Sequence, residues 1–157
     1  MKRNILYSIL FIFFTFIFIV FYLGLDKNNF YAPNEIQKKK LVEFTANEFF
    51  SNKQVNSKDI IDNSSFTLLN IWSSWCAPCR SEHSMLMDLK KKSNLYIVGL
   101  NYKDKKNNAN KFLNDLGNPF SKILVDSDGT LSILLGAYGI PETLILDNQS
   151  NIVKKYI

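Results

Sequence analysis

The stretch Leu68–Leu89, LLNIWSSWCAPCRSEHSMLMDL, constrains the fold more tightly than any other part of the chain. An apolar run from Leu68 to Trp75 breaks at Cys76 into a segment of helical spacing. There Met85, Leu86 and Leu89 fall at i, i+1 and i+4, one stripe of a helix. A buried strand is thus expected to hand over to a helix at Cys76-Ala77-Pro78-Cys79. A helix N-terminus carries unpaired N–H groups and a partial positive charge, both of which favour a thiolate. Pro78 suits the first helical turn, where its missing N–H is not needed. The chemistry implied is thiol–disulfide exchange, with Cys76 as the exposed nucleophile and Cys79, one turn later, as the more buried resolving thiol.

Other uses of two close cysteines fit less well. The chain has only these two, so it is not a disulfide-built scaffold. Structural zinc wants four ligands, and His83 is the sole histidine. Covalent haem attachment needs histidine directly after the second cysteine, where Arg80 stands. A copper-delivery role would ask for a further histidine or methionine ligand away from the motif. No metal and no cofactor are expected. The net charge of +5 comes from 19 Lys and Arg against 14 Asp and Glu. The basic residues are scattered and accompany no nucleic-acid module, so they read as a solvated face and no nucleic-acid partner is expected.

Ahead of this region, Met1-Lys2-Arg3 precedes Ile5–Leu25, which holds no charge. As a helix rising 1.5 Å per residue, that run spans roughly 30 Å, one hydrocarbon core. A cleaved signal peptide usually has a shorter apolar region and a small-x-small site. Tyr22-Leu23-Gly24-Leu25-Asp26 offers no convincing site, so residues 1–25 read as an uncleaved inner-membrane anchor. Lys2 and Arg3 would keep the N-terminus cytoplasmic and place the rest outside. Residues 26–40, polar and ending in three lysines, read as a linker, and 41–157 as one domain.

Within that domain, Leu41–Phe44 and Phe49–Ile61 are weakly periodic and suggest a short strand followed by loop or helix. Leu95–Asn101 reads as a buried strand, Lys105–Leu116 as a helix stopped by Gly117, and Ile123–Val125 as a strand ended by Asp126-Ser127-Asp128-Gly129. Thr130–Leu135 suggests a single helical turn. Glu142–Leu146 and Ile152–Tyr156 read as a hairpin around a five-residue loop, Asp147–Asn151. Strands alternating with helices before a terminal hairpin describe an α/β sandwich around a mixed sheet.

The pieces LLNIWSSWCAPCRSEH, VGLNYKD, LGNPF and GAYGIPETLILD, in that order, give the chain a resemblance to a known family. It resembles thioredoxin-like proteins, and closely the membrane-anchored thiol:disulfide interchange proteins of cytochrome c maturation, the CcmG/DsbE family. The resemblance runs from about Leu68 to Tyr156. It implies a thioredoxin-like fold in the periplasm and a Cys76–Cys79 pair that cycles between dithiol and disulfide. The implied substrate is the Cys-x-x-Cys of apocytochrome c, or the assembly partner that carries it. Electrons would come from a membrane thiol reductase of the DsbD or CcdA type.

The resemblance also implies roles for single residues. Pro141 matches the proline that is cis in these folds and faces the dithiol. Ile140 before it would present its backbone to an extended substrate, with Trp75, Ala77, Pro78 and Glu142 completing the substrate-binding groove. Glu82 and Glu142 match acidic residues near the family's active site. A carboxylate beside Cys79 can take a proton as the mixed disulfide resolves, or raise the thiol pKa by repulsion. Asn70 stands where general thioredoxins carry a buried aspartate, which shifts attention to Glu82. The pair between the cysteines is Ala77-Pro78, and dithiol potential is sensitive to that pair, so the family's potential does not transfer. The chain stops at Ile157, where the fold usually continues into a C-terminal helix, and truncation is expected. A general extracytoplasmic thiol reductase or oxidase, and a non-redox adaptor, remain the alternative functions.

Overall fold

A computed structural model of the chain describes residues 2–25, 39–51, 53–62, 66–92 and 95–157. The expected linker lies outside the described residues except for Lys39 and Lys40. The chain divides into two compact units, 1–34 and 35–157. In the first, α1 (Lys2–Leu25) is a single helix in which Asn4–Gly24 has a mean hydropathy of 2.6, long and apolar enough to cross a bilayer.

The second unit is built on one sheet. Among the described residues eight strands join in the order β1-β8-β7-β4-β5-β6-β2-β3. Its centre is β4 (Thr67–Trp72), parallel to β5 (Tyr96–Tyr102), which is in turn parallel to β6 (Lys122–Asp126). Every residue of β4 is buried, as a strand covered on both faces requires. Crossovers through α2 (Ala77–Lys92) and α3 (Lys106–Leu116) step across the sheet in the same direction, which lays both helices on one face. There Leu86, Phe112 and Leu113 pack with Leu68, Ile97 and Ile123. Alternate strand residues Leu69, Val98, Leu124 and Leu144 point the other way and pack with Leu41, Phe44 and Ile60.

The weakly periodic N-terminal part is a hairpin rather than a short strand followed by loop or helix. β2 (Thr45–Glu48) pairs with β3 (Gln54–Asn56), and a 3-10 turn follows at Ser57–Ile60. Asn56 caps that turn: its side chain accepts the Lys58 N–H, and the Asp59 carboxylate accepts the Asn56 N–H. The helical turn after β6 is α4 (Thr130–Leu134), started by Asp126, whose carboxylate accepts the N–H groups of Leu131 and Ser132.

The sheet closes with β7 (Glu142–Leu146) and β8 (Asn151–Tyr156), antiparallel to each other, and β7 also runs antiparallel to β4. Their loop is one residue shorter than expected. Asn151 belongs to the ladder because it sits opposite Lys40 of β1 (Lys39–Lys40). A bulge lies between the register pairs Leu146–Ile152 and Ile145–Lys154. The mixed-sheet α/β arrangement is the one expected.

Candidate functional site

Cys76 is the residue just before α2. Its carbonyl oxygen accepts the Arg80 N–H at 3.2 Å, the first bond of the helix. Its sulfur accepts the Cys79 N–H at 3.1 Å. A side-chain acceptor receiving the N–H three residues on is the geometry of an N-cap, with sulfur where a serine or aspartate oxygen usually lies. The same N–H that caps the helix is therefore placed to stabilise a thiolate on Cys76. The two sulfurs are joined in a disulfide. Neither cysteine is exposed: Cys76 is 5% and Cys79 2% accessible. This corrects the expectation of an exposed Cys76. Both sulfurs pack into the cluster formed by Leu68, Trp72, Leu86 and Ile97, and Ile140 lies against the same cluster.

Ile140 belongs to the loop that faces the pair. The Ile140–Pro141 peptide is cis, and the Ile140 carbonyl oxygen lies 3.7 Å from the Cys76 sulfur. Pro141 and Ile140 are half-buried, while Ala77 and Pro78 are exposed. Glu142 departs from its expected place among substrate-facing residues. It is 1% accessible, and its Oε1 accepts the N–H groups of Tyr138 at 2.6 Å and Gly139 at 3.1 Å. Its other oxygen pairs with Lys155 Nζ at 2.7 Å. Both oxygens of the side chain are thus engaged within the fold, with the 138–139 backbone and with Lys155.

The turn carrying Cys76 is held from the opposite side by Asp104. Its carboxylate accepts the Ser74 N–H at 2.6 Å, the Ser74 hydroxyl at 2.8 Å and an amide N–H of Asn101 at 3.1 Å. Trp75 is 58% accessible, and its indole N–H donates to the Lys103 carbonyl at 3.0 Å, which fixes an exposed aromatic surface beside Cys76. Sequence reasoning assigned no role to Asp104 or Lys155. Asp104 ends the quoted VGLNYKD piece, which was a usable signal; Lys155 had none.

Glu82 lies on α2, one turn after Cys79 and on the same side of the helix. It lines a groove of about 880 Å³ together with Ala77, Pro78, Pro141 and Thr143. Burial pushes its carboxyl above the usual range, and the Asn70 amide, donating at 2.9 Å, pulls it part of the way back. The same Asn70 nitrogen donates to the Thr143 hydroxyl at 3.0 Å, so the residue in the aspartate position ties Glu82 to β7. His83, next on the helix, turns into the core. It is buried edge-on against Phe112, with Nε2 2.9 Å from the Gly117 carbonyl, and burial lowers its pKa. Among the described residues no three His, Cys, Asp or Glu side chains come together as a metal-ligand set.

Ala77, Pro78, Glu82 and Pro141 thus line one groove, Ile140 faces the Cys76 sulfur, and Trp75 lines a separate hollow with Arg80 and Phe112. Thiol:disulfide interchange protein CycY of Rhizobium leguminosarum bv. viciae is 45% identical over 91 residues, covering 58% of this chain and 49% of that protein. Thiol:disulfide interchange protein DsbE of Haemophilus influenzae is 37% identical over 121 residues, covering 77% of this chain and 63% of that protein. The chain therefore spans about half to two-thirds of the length of these relatives. A crystal structure of a DsbF homologue from Corynebacterium diphtheriae superposes with a TM-score of 0.64 at 28% identity, over 76% of this chain and 78% of that one. The fold is thioredoxin-like. The Redoxin family model matches residues 36–157, the whole sheet and every site residue, and the chain belongs to the redoxin family.

Proposed function

We propose that this redoxin is a membrane-anchored thiol:disulfide oxidoreductase that faces the periplasm. It reduces the Cys-x-x-Cys disulfide of apocytochrome c, or of the assembly partner carrying it, before haem attachment. A membrane thiol reductase of the DsbD or CcdA type returns it to the dithiol. The observation that carries this reading is the Cys76 sulfur itself. It sits at a helix N-terminus, accepts the Cys79 N–H at 3.1 Å, and faces the Ile140 carbonyl at 3.7 Å.

In the reduced protein the Cys76 thiolate attacks one sulfur of the substrate disulfide. That S–S bond breaks, a Cys76–substrate disulfide forms, and the departing substrate thiolate takes a proton from solvent. Cys79 then loses its proton and attacks the Cys76 sulfur. The mixed disulfide breaks, the second substrate thiol leaves, and the Cys76–Cys79 disulfide closes. Two electrons have passed to the substrate. Cys79 is 2% accessible, so its proton needs an acceptor within the fold. Glu82, half-buried on the same side of α2, is that acceptor, and its raised pKa makes it a better base than a solvated carboxylate.

The test uses reduced full-length protein and a disulfide-bonded Cys-x-x-Cys-His peptide. Cys79→Ser should accumulate a covalent adduct through Cys76, visible by mass and released by reductant, whereas Cys76→Ser should form none. Adduct formation through position 79, or exchange that favours an unrelated disulfide peptide over the haem-site sequence, would overturn the proposed order or the proposed substrate respectively.

A further inference from the structure

The loop that faces Cys76 rests on a lysine that neither motif nor mechanism has claimed. Lys155 lies on β8, the last strand. Its ammonium is 2.7 Å from Glu142 Oε2, donates to the Gly136 carbonyl at 2.7 Å, and sits 4.4 Å from the centre of the Tyr138 ring. Glu142 in turn receives the N–H groups of Tyr138 and Gly139. The two charged side chains are 7% and 0% accessible, so this ion pair belongs to the interior. Burying two charges is costly, and parting an interior pair leaves an uncompensated charge, so the pair opposes any backbone arrangement that separates its members. Here the fixed backbone is Gly136–Gly139, which runs directly into Ile140 and Pro141.

How Lys155 comes to point inward is itself informative. On a regular strand starting from the buried Ile152, alternation would turn Lys154 to the core and Lys155 to solvent. The bulge at Val153 resets the count. Ile152 opposes Leu146, Lys154 opposes Ile145, and Lys155 opposes Leu144, which faces the core. Bulges re-aim side chains, and this one delivers an ammonium to the underside of the substrate-facing loop.

We propose that Lys155 is a positioning residue for the exchange reaction. Through Glu142, the Gly136 carbonyl and the Tyr138 ring it holds the 136–141 loop in the pose from which Ile140 aligns an extended disulfide substrate with the Cys76 sulfur. The inference rests on the exchange reading of the dithiol. It does not depend on which polypeptide supplies the disulfide. Lys155 touches no reacting atom, so the intrinsic reactivity of Cys76 toward a disulfide too small to use the loop is independent of it.

Reduced full-length protein is mixed with two substrates, a disulfide-bonded peptide of unrelated sequence with extended flanks and hydroxyethyl disulfide. The readout is the ratio of the two second-order rate constants, in wild type and in folded variants. In Lys155→Met the peptide rate should fall by about tenfold and the hydroxyethyl disulfide rate by less than about twofold, since a displaced positioning element costs alignment only where alignment is used. Lys155→Arg keeps the cation and should restore at least half of the lost ratio on a logarithmic scale. If Lys155→Met does not fold, Glu142→Gln/Lys155→Met buries no lone charge and is read in its place, with a lowered ratio again expected. A wild-type ratio in either neutral variant overturns the proposal, as does an arginine variant no better than methionine. Wild-type protein that exchanges with neither substrate overturns the dithiol reading and the inference with it; wild-type exchange with an unchanged ratio in the variants overturns the inference alone.

Discussion

Burial raises the Glu82 carboxyl pKa and the Asn70 amide opposes the rise, a balance that makes this residue sensitive to pH. A group whose folded pKa lies above its unfolded value holds its proton more tightly in the fold. The stability this contributes is complete below the unfolded pKa and is lost as pH rises through the folded one. Glu82→Gln has no charge to desolvate, so relative to wild type it should gain stability between about pH 4 and about pH 8, read by urea unfolding at each. A stability difference that does not change with pH would refute the burial assignment. The sequence made the two cysteines readable from their spacing at the start of a helix, whereas Glu82 was singled out only through the family resemblance. It did not reveal that Glu142 is buried, because a carboxylate beside an exposed loop reads as solvated until its cation is found. That cation, Lys155, is hidden by a bulge that no period-2 pattern anticipates.

At the scale of elements, the strand–turn–helix around the dithiol is held by an aromatic layer beneath it. Trp72 at the end of β4 stacks on Phe120 at 5.2 Å and lies 5.2 Å from Phe112. That packing is possible because Gly99 of β5 has no side chain: a Cβ there would come within 2.7 Å of the Trp72 indole nitrogen and 3.0 Å of the Phe120 ring. Gly99→Ala should therefore destabilise the domain by about 1–3 kcal/mol, the usual cost of overpacking a filled core. Chemical denaturation checks it, and a neutral result would mean the indole can shift freely. β4 and β5 were legible as short continuous apolar runs, and α2 and α3 from apolar residues at helical spacing. The β2–β3 hairpin was not, since Thr45–Asn56 buries only Ala46, Phe49 and Val55 among its described hydrophobic residues. Such a pair is stabilised by its ladder to β6, which is a tertiary fact.

For the molecule as a whole, the apolar α1 and the redoxin unit invite a test of topology. Lys2 and Arg3 precede Asn4–Gly24, and positive charge beside an apolar helix is retained on the cytoplasmic side. If the helix is an uncleaved anchor, membrane-associated protein should retain its N-terminal residues. Protease admitted to the periplasm should then digest the 35–157 unit. Mature protein starting near Asp26, or a unit that is protected, would contradict the anchor. A protein tethered in this way is confined to two dimensions with copies of itself, and an open sheet is hazardous there. Its outermost strands bear on that hazard. β1 is two exposed lysines long and β3 only three residues, Gln54–Asn56. A short, charged margin gives a neighbouring chain few backbone groups to zip onto and repels an identical margin. Among the described residues, the ends of this sheet thus disfavour fibril growth under crowding.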